Sequence, residues 1–426
     1  MILSPIKKEV QGSSVQLSVE VEWKNRGRDH PENAWYKAPD VLWYRFPKQY
    51  ADILSENHNG FLIPLVAMAM FFKEDIHVQG RVSSTLLYNL REYQRILHFW
   101  APNDFQPCEI TCDIIDEQPV DQNRSGALSS YSGGIDSTFT LWSHLARNEP
   151  LKNFQVTHAM YIRGFDTVEE DAKTQDLKIK KYSELTSKNG IELIVVETNT
   201  NSFHQFDAGM KNYYTMSSTL ASVAVFFENV IPHFYFSSDN THDYEMLSII
   251  SHQLLPLFST EKMHMSVFGA SVNKLQKMQA ISQWEDTHTR LVCCFEYPNG
   301  LQNCGKCEKC VCTMAGLKMV GILETYTTFP PKLSRHLLRT THYCREYMFF
   351  PITLRRLAWE MGSYDFYFDY TYVVVRSTIV NFCKPFISGI VRAPGILSAA
   401  PYLLSSILKQ KSQTYSKFVK LIKAHE

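Results

Sequence analysis

The stretch that decides the fold is Ser-Gly-Gly-Ile-Asp-Ser at 132–137, here called the glycine turn. It follows a run of small residues at 127–131 and precedes Phe139, Leu141 and Leu145, whose spacing fits a helix packed on a sheet. The pattern predicts a turn from a strand into a helix. Adjacent glycines let the backbone approach a ligand closely, and amides at the start of a helix point outward. With two serine hydroxyls as further donors, the glycine turn suits a pyrophosphate.

Asp136 is awkward beside bare phosphate, so it either coordinates an accompanying Mg²⁺ or fixes the turn from within. Other glycine motifs are excluded. No Gly-Lys-Ser/Thr follows, as a Walker loop requires, and the third glycine of a dinucleotide fingerprint is missing. The turn also lacks the Gly-x-Ser-x-Gly of serine hydrolases. A plain flexible turn is the remaining alternative, because Ser-Gly-Gly is common in such turns.

The chain around the glycine turn alternates short apolar runs with longer helix-compatible stretches. The runs lie at 127–131, 156–162, 191–197 and 233–237. Strands that alternate with helices form parallel sheets with crossover helices. The pattern therefore predicts an α/β fold class.

At 426 residues the chain is long enough for two or three domains. We place the α/β domain at 126–321. Residues 1–120 have strand-like patches around a helical stretch near 83–99, which predicts an N-terminal α+β accessory domain. The alternation stops in residues 322–426, which predict a helical C-terminal domain.

Six of the ten cysteines lie within 293–312, a local crowding typical of metal ligation. Cys304, Cys307 and Cys310 follow one another at three-residue spacing, and the adjacent pair at 293–294 offers a fourth thiol. Four thiolates suit a tetrahedral Zn²⁺, and four protein ligands leave no open position, so such an ion is structural. An iron–sulfur cluster and a cluster without metal are the alternatives.

The composition argues against strong global electrostatics. The 43 basic and 43 acidic side chains leave no net field for nucleic acid or anionic lipid, and the lysines at 409–423 fit a solvated helix face. The uncharged stretch at 393–408 is short and broken by prolines, so no segment is expected to span a membrane. The N-terminus lacks the apolar core of a secretory signal, which favours the cytoplasm. A homodimer is left open.

The glycine turn resembles the signature of the PP-loop ATP pyrophosphatases, an adenine nucleotide alpha hydrolase-like superfamily with a parallel-sheet, HUP-like domain. Its members split ATP between the α and β phosphates and hold the released pyrophosphate in this loop. The resemblance implies ATP and Mg²⁺ as cofactors, and it implies that the turn at Arg163 and Gly164 holds adenine through backbone groups. The residues that it assigns to pyrophosphate are Ser132, Gly133, Gly134, Asp136, Ser137 and, with a less defined role, Thr138.

The cysteine pattern resembles 7-cyano-7-deazaguanine synthase-like members of this superfamily. That comparison implies zinc ligation by Cys294, Cys304, Cys307 and Cys310. The chain departs from the synthase pattern at Cys312, where the synthases have an arginine. A related group carries Arg-x-x-Lys before the cysteines, and here Lys274 stands in place of that arginine while Lys277 keeps the second cation. Lys277 is interpreted as a cation for charge developing on the α-phosphate. A solvated helix face is the alternative for Lys274 and Lys277.

Together these resemblances imply an ATP-dependent synthetase that forms AMP and pyrophosphate. It would adenylate a carboxylate or amide oxygen of an unidentified acceptor, either a small molecule or a macromolecule, for attack by ammonia, an amine or a sulfur donor. Asp136 and Lys277 are assigned to the chemistry. One alternative is sulfur transfer through Cys312 or Cys293. Another is a non-catalytic, nucleotide-binding and zinc-stapled interaction module.

Overall fold

The computed structural model describes residues 1–24, 39–117, 120–121, 123–165, 172–204, 215–242, 252–294, 296 and 302–391. Close contacts divide the chain into two compact units, Met1–Arg290 and Leu291–Glu426. The first unit combines residues 1–120 with most of the α/β segment. The division of the chain into three domains at the bounds given above remains a prediction.

The first unit begins with a mixed segment of strands and helices. Its elements are β1 (Ile2–Leu3), β2 (Lys7–Gln11), β3 (Ser14–Glu22), β4 (Val41–Pro47), α1 (Asn59–Phe72), β5 (Ile76–Ser83), α2 (Ser84–Trp100) and β6 (Ile110–Asp116). The helical stretch predicted near 83–99 is α2. It begins after Ser83, because the hydroxyl of that residue accepts a hydrogen bond from the Leu86 amide at 2.9 Å.

Parallel strands that alternate with helices follow. They are β7 (Ala127–Ser130), α3 (Ile135–Ser143), β8 (Val156–Ile162), α4 (Ala172–Lys188), β9 (Glu192–Thr198), α5 (Thr200–His204), α6 (Met216–Ala224), β10 (His233–Ser237), β11 (His264–Phe268) and α7 (Lys274–Ser282). The strands predicted at 156–162 and 233–237 are confirmed with the same bounds. The strand predicted at 191–197 lies one residue further along the chain.

The eleven strands of the described residues form one sheet in the order β11-β10-β7-β8-β9-β4-β3-β1-β5-β6, with β2 beside β3. Strands β7–β11 pair in parallel. Strand β4 joins β9 in antiparallel register, with Tyr44 opposite Thr198 and Arg45 opposite Glu197. The predicted α/β class is confirmed as a mostly parallel sheet with helices, and the N-terminal strands extend that sheet.

The strand order reverses at β7. From β7 the chain passes to β8 and β9 on one side, and then crosses to β10 and β11 on the other. Open α/β sheets bind ligands outside the carboxyl ends of their strands at such a reversal. The carboxyl ends of β7 and β10 are therefore the place where this topology favours a ligand.

The second unit is helical in its described part. Its helices are α8 (Glu308–Met319), α9 (Arg335–Thr340), α10 (Phe349–Glu360) and α11 (Tyr364–Val391), and residues 302–391 contain no strand. The buried carboxylate of Asp369 ties α11 to α9, because it accepts from Arg335 Nε at 2.9 Å and Arg339 Nε at 2.6 Å. No described helix is long and apolar enough to cross a membrane. The lysines at 409–423 lie outside the described residues.

A buried carboxylate ties the N-terminal segment to the parallel strands. Glu228 is fully buried and accepts hydrogen bonds from Ser55 Oγ at 2.9 Å, Asn57 Nδ2 at 2.5 Å and Thr260 Oγ1 at 2.6 Å. Burial raises the pKa of Glu228, and these hydrogen bonds oppose the shift. Donors from two distant parts of the chain thus depend on one side chain.

Glu228→Ala is expected to lower the free energy of unfolding by roughly 3 kcal/mol, because it leaves several buried donors without an acceptor. Glu56→Ala is the control, since the side chain of Glu56 is 59% exposed. Urea unfolding followed by circular dichroism measures both variants. Equal stability of the two variants would contradict a structural role for the Glu228 network.

Candidate functional site

The glycine turn lies at the carboxyl end of β7, and α3 begins within it. Gly133 has a φ of +76°, a left-handed conformation that favours glycine. A Cβ atom at this position would lie 2.3 Å from the hydroxyl oxygen of Tyr182 on α4. Glycine is therefore required at 133 both by the backbone conformation and by the lack of space.

The two serines of the turn hold it from within. Ser137 Oγ accepts a hydrogen bond from the Ser132 amide at 3.3 Å and lies 3.2 Å from Ser132 Oγ. It also donates to the carbonyl of Gly134 at 3.3 Å. Thr138 is buried, and its amide donates to the same carbonyl at 3.0 Å. These contacts fix the shape of the turn. The serine hydroxyls that were predicted to donate to a pyrophosphate therefore first serve the turn itself.

The backbone amides of residues 133–137 are hydrogen-bond donors that the turn itself does not use. Within the part of the chain that the structure describes, none of them donates a hydrogen bond to another group. The first amides of a helix have no intrahelical acceptor, and they carry the positive end of its dipole. Five consecutive amides thus have no acceptor among the described residues at the point where the strand order reverses, an arrangement of the kind that can bind an anion.

Helix α7 brings two lysines to the first turn of α3. Lys274 Nζ forms an ion pair with Asp136 Oδ2, and Lys277 Nζ lies 3.1 Å from Asp136 Oδ1. Lys277 also donates to the carbonyl of Ser238, after β10, at 2.6 Å. The side chains of Lys274 and Lys277 are 16% and 2% exposed. These paired and largely buried lysines exclude the interpretation as a solvated helix face.

The charges of this cluster shift one another's protonation. Burial raises the pKa of Asp136, but the ammonium groups of Lys274 and Lys277 outweigh it and bring the pKa to about 2. Burial lowers the pKa of Lys277, and the charge of Asp136 opposes that shift. Asp239, beside Ser238, has its pKa raised by burial and then by the charge of Asp136. Sequence analysis did not predict that Asp239 belongs to this cluster, because Asp136 and the two lysines come from other elements of the fold.

The turn predicted to hold adenine lies at the carboxyl end of β8, the neighbour of β7. The Arg163 amide donates to the carbonyl of Val196 at 2.9 Å, and its guanidinium pairs with Asp176 at 2.7 Å and Glu197 at 3.5 Å. Gly164 has a φ of +75°, and among the described residues a Cβ atom there would find a single neighbouring atom, at 4.0 Å. Gly164 thus lies on the same sheet edge as the glycine turn, and its carbonyl accepts a hydrogen bond from Asn201 Nδ2 at 3.2 Å.

A second candidate site lies in the second unit. The Sγ atoms of Cys294, Cys304, Cys307 and Cys310 all lie within 4.8 Å of one another. The Sγ atoms of Cys294 and Cys307 are 3.9 Å apart, and those of Cys304 and Cys310 are 3.8 Å apart. Four sulfurs placed tetrahedrally at about 2.3 Å from Zn²⁺ lie roughly 3.8 Å from one another. The four cysteines can therefore hold a metal ion such as zinc.

Backbone amides orient these sulfur atoms. The amides of Lys306 and Cys307 donate to Cys304 Sγ at 3.3 and 3.2 Å. The amide of Cys310 donates to Cys307 Sγ at 3.4 Å, at the start of α8. Donors directed at sulfur favour the thiolate, which is the form that binds metals.

Two cysteines of this region lie outside the cluster. Cys293 and Cys312 are each 5% exposed. Cys293 Sγ donates to Thr313 Oγ1 at 3.3 Å. The fourth sulfur of the cluster is therefore that of Cys294. Cys293 and Cys312, either of which sulfur transfer would use, are both buried.

Cys294→Ser is expected to lose most of the bound zinc, because a thiolate ligand becomes a hydroxyl, whereas Cys293→Ser is expected to keep about one ion per chain. Mass spectrometry of the metal content of both purified variants measures the difference. The opposite result, with zinc lost only from Cys293→Ser, would transfer the fourth ligand to Cys293.

Known protein families offer no match to these sites. No family model matches the chain, and no curated protein matches it. The geometry of the two sites is therefore the basis for inferring function.

Proposed function

We propose that this protein is an ATP-dependent synthetase that forms AMP and pyrophosphate. It adenylates a carboxylate or amide oxygen of an acceptor, which ammonia, an amine or a sulfur donor then attacks. The observation that carries the proposal is the row of amides at 133–137, which have no acceptor among the described residues and lie where the strand order reverses. Such a row suits the oxygens of pyrophosphate.

The lysines of α7 support an anionic ligand. With a pKa of about 2, Asp136 stays ionised at neutral pH and its carboxylate faces both lysines, while the carboxyl of Asp239 lies close enough to interact with the same charges. Lys277 uses two of its three donors on Asp136 and the carbonyl of Ser238, which leaves one for a phosphate oxygen. Lys274 is the more exposed of the pair and the more accessible to a ligand.

The reaction needs position and electrostatics more than covalent chemistry. In the proposed step, the acceptor oxygen attacks the α-phosphorus of ATP. The bond between this phosphorus and the bridging oxygen breaks, and the bridging oxygen leaves with its electron pair as part of pyrophosphate. Negative charge grows on the leaving group, so the fixed amides and ammonium groups stabilise the transition state more than the bound ATP. The nucleophile then displaces AMP from the adenylate.

The two metals have different places in this proposal. Both oxygens of Asp136 contact ammonium groups, which supports a role for Asp136 in holding α7 against the glycine turn. Mg²⁺ is accordingly assigned to the phosphates of ATP, where it offsets their charge. Zn²⁺ is assigned to the four cysteines, and its closed coordination makes it structural.

Lys274→Met is expected to reduce AMP formation about a hundredfold, because it removes an accessible cation from the charge that develops on the phosphates. Lys188→Met is the matched control, since Lys188 pairs with Asp286 at 2.6 Å and its side chain is 65% exposed. Chromatographic detection of AMP, across a panel of carboxylate and amide acceptors, measures both variants and the wild type.

Two outcomes of this assay would oppose the proposal. AMP formation that is equal in the wild type and Lys274→Met would remove the lysine cluster from the reaction. Tight ATP binding without turnover for any acceptor would instead favour a non-catalytic nucleotide-binding module.

A further inference from the structure

Tyr182 on α4 contacts the glycine turn from the protein core. The residue is 1% exposed, and its hydroxyl donates to the carbonyl of Ser132 at 2.9 Å. Its ring makes edge-to-face contacts with Tyr131, at 5.0 Å between centroids, and with Tyr161, at 5.7 Å. These neighbours and the adjacent Gly133 leave the side chain little freedom to move.

This hydrogen bond sets the direction of one amide of the turn. In a trans peptide, the carbonyl of one residue and the N–H of the next point in opposite directions, and the described residues contain no cis peptide. Because the Ser132 carbonyl points toward Tyr182, the Gly133 N–H points away from it. Glycine tolerates many backbone conformations, so Gly133 by itself does not maintain this orientation.

We infer that Tyr182 is a positioning residue that keeps the Gly133 N–H directed at the bound pyrophosphate, an inference that rests on the proposed function. Without the hydroxyl, the peptide between Ser132 and Gly133 can rotate and turn the carbonyl oxygen toward the anion. The rotation replaces a donor by an acceptor that repels phosphate oxygens. Pyrophosphate binding therefore depends on a hydroxyl group that does not touch the ligand.

Tyr182→Phe tests this inference, because it removes the hydroxyl and keeps the ring beside Gly133. Tyr235→Phe is the matched control. Tyr235 is also buried, and its hydroxyl also donates to a backbone carbonyl, that of Phe154 at 3.2 Å. Phe154 precedes β8 and so lies at the opposite end of that strand from the glycine turn. Calorimetric titration with inorganic pyrophosphate and with AMP, together with the melting temperature, compares both variants with the wild type.

Tyr182→Phe is expected to weaken pyrophosphate binding roughly three- to tenfold, the effect of one lost hydrogen bond. AMP binding and the melting temperature should change no more than they do in Tyr235→Phe, because the hydroxyl directs a donor at the terminal phosphates alone. An equal loss of affinity for both ligands, or an equal loss in both variants, would overturn the positioning role.

Gly133→Ala separates this inference from the proposed function. Pyrophosphate binding that is present in the wild type and lost in Gly133→Ala supports the phosphate site itself, and unchanged binding in Tyr182→Phe would then overturn only the role of Tyr182. A wild-type protein that binds no pyrophosphate would overturn the proposed function and this inference together.

Discussion

The row of amide donors at 133–137 is the constraint on which the rest of the first unit depends. A backbone N–H removed from water needs an acceptor, and the lack of one costs about 1 to 3 kcal/mol. Residues 133, 135 and 137 are buried, yet no group in the described ranges accepts from any amide of this row. A bound anion would complete an arrangement of hydrogen bonds that the protein alone leaves open.

The surrounding sheet holds this row in place from both sides. Strand β7 lies between β8 and β10, and β9 is no edge because β4 pairs with it. The hydroxyl of Tyr44 on β4 lies within hydrogen-bond distance of the carbonyl of Gly60 at 3.0 Å and of Ser222 Oγ at 2.9 Å, which joins β4 to α1 and α6. The N-terminal segment thus shares a core with the parallel strands, and its packing contributes to the rigidity that an oriented row of donors requires.

Local patterns predicted those parts of the molecule that depend on neighbouring residues. The apolar runs of β8 and β10 end at polar turns, and the clustered cysteines lie close together in the sequence. Helix α1 was missed because all fourteen of its residues are buried, so no polar face marks its period. The contact of Lys277 with Asp136 and the place of Asp239 were missed for another reason. Their partners come together through the order of the strands, which residue spacing does not reveal.

Under the proposed function, the Asp136 carboxylate would help the phosphate site to release its product. Burial lowers the pKa of Lys277, and the charge of Asp136 opposes that effect and so favours the protonated amine. The carboxylate thus offsets part of the positive charge of the lysine pair while it favours the protonated form of Lys277. A phosphate that approached this proposed site would compete with Asp136 for Lys274, whereas Lys277 is also anchored to the carbonyl of Ser238. This competition would weaken binding of phosphates in the ground state, so the proposed site would gain most from its amides and ammonium groups when charge develops on the leaving group.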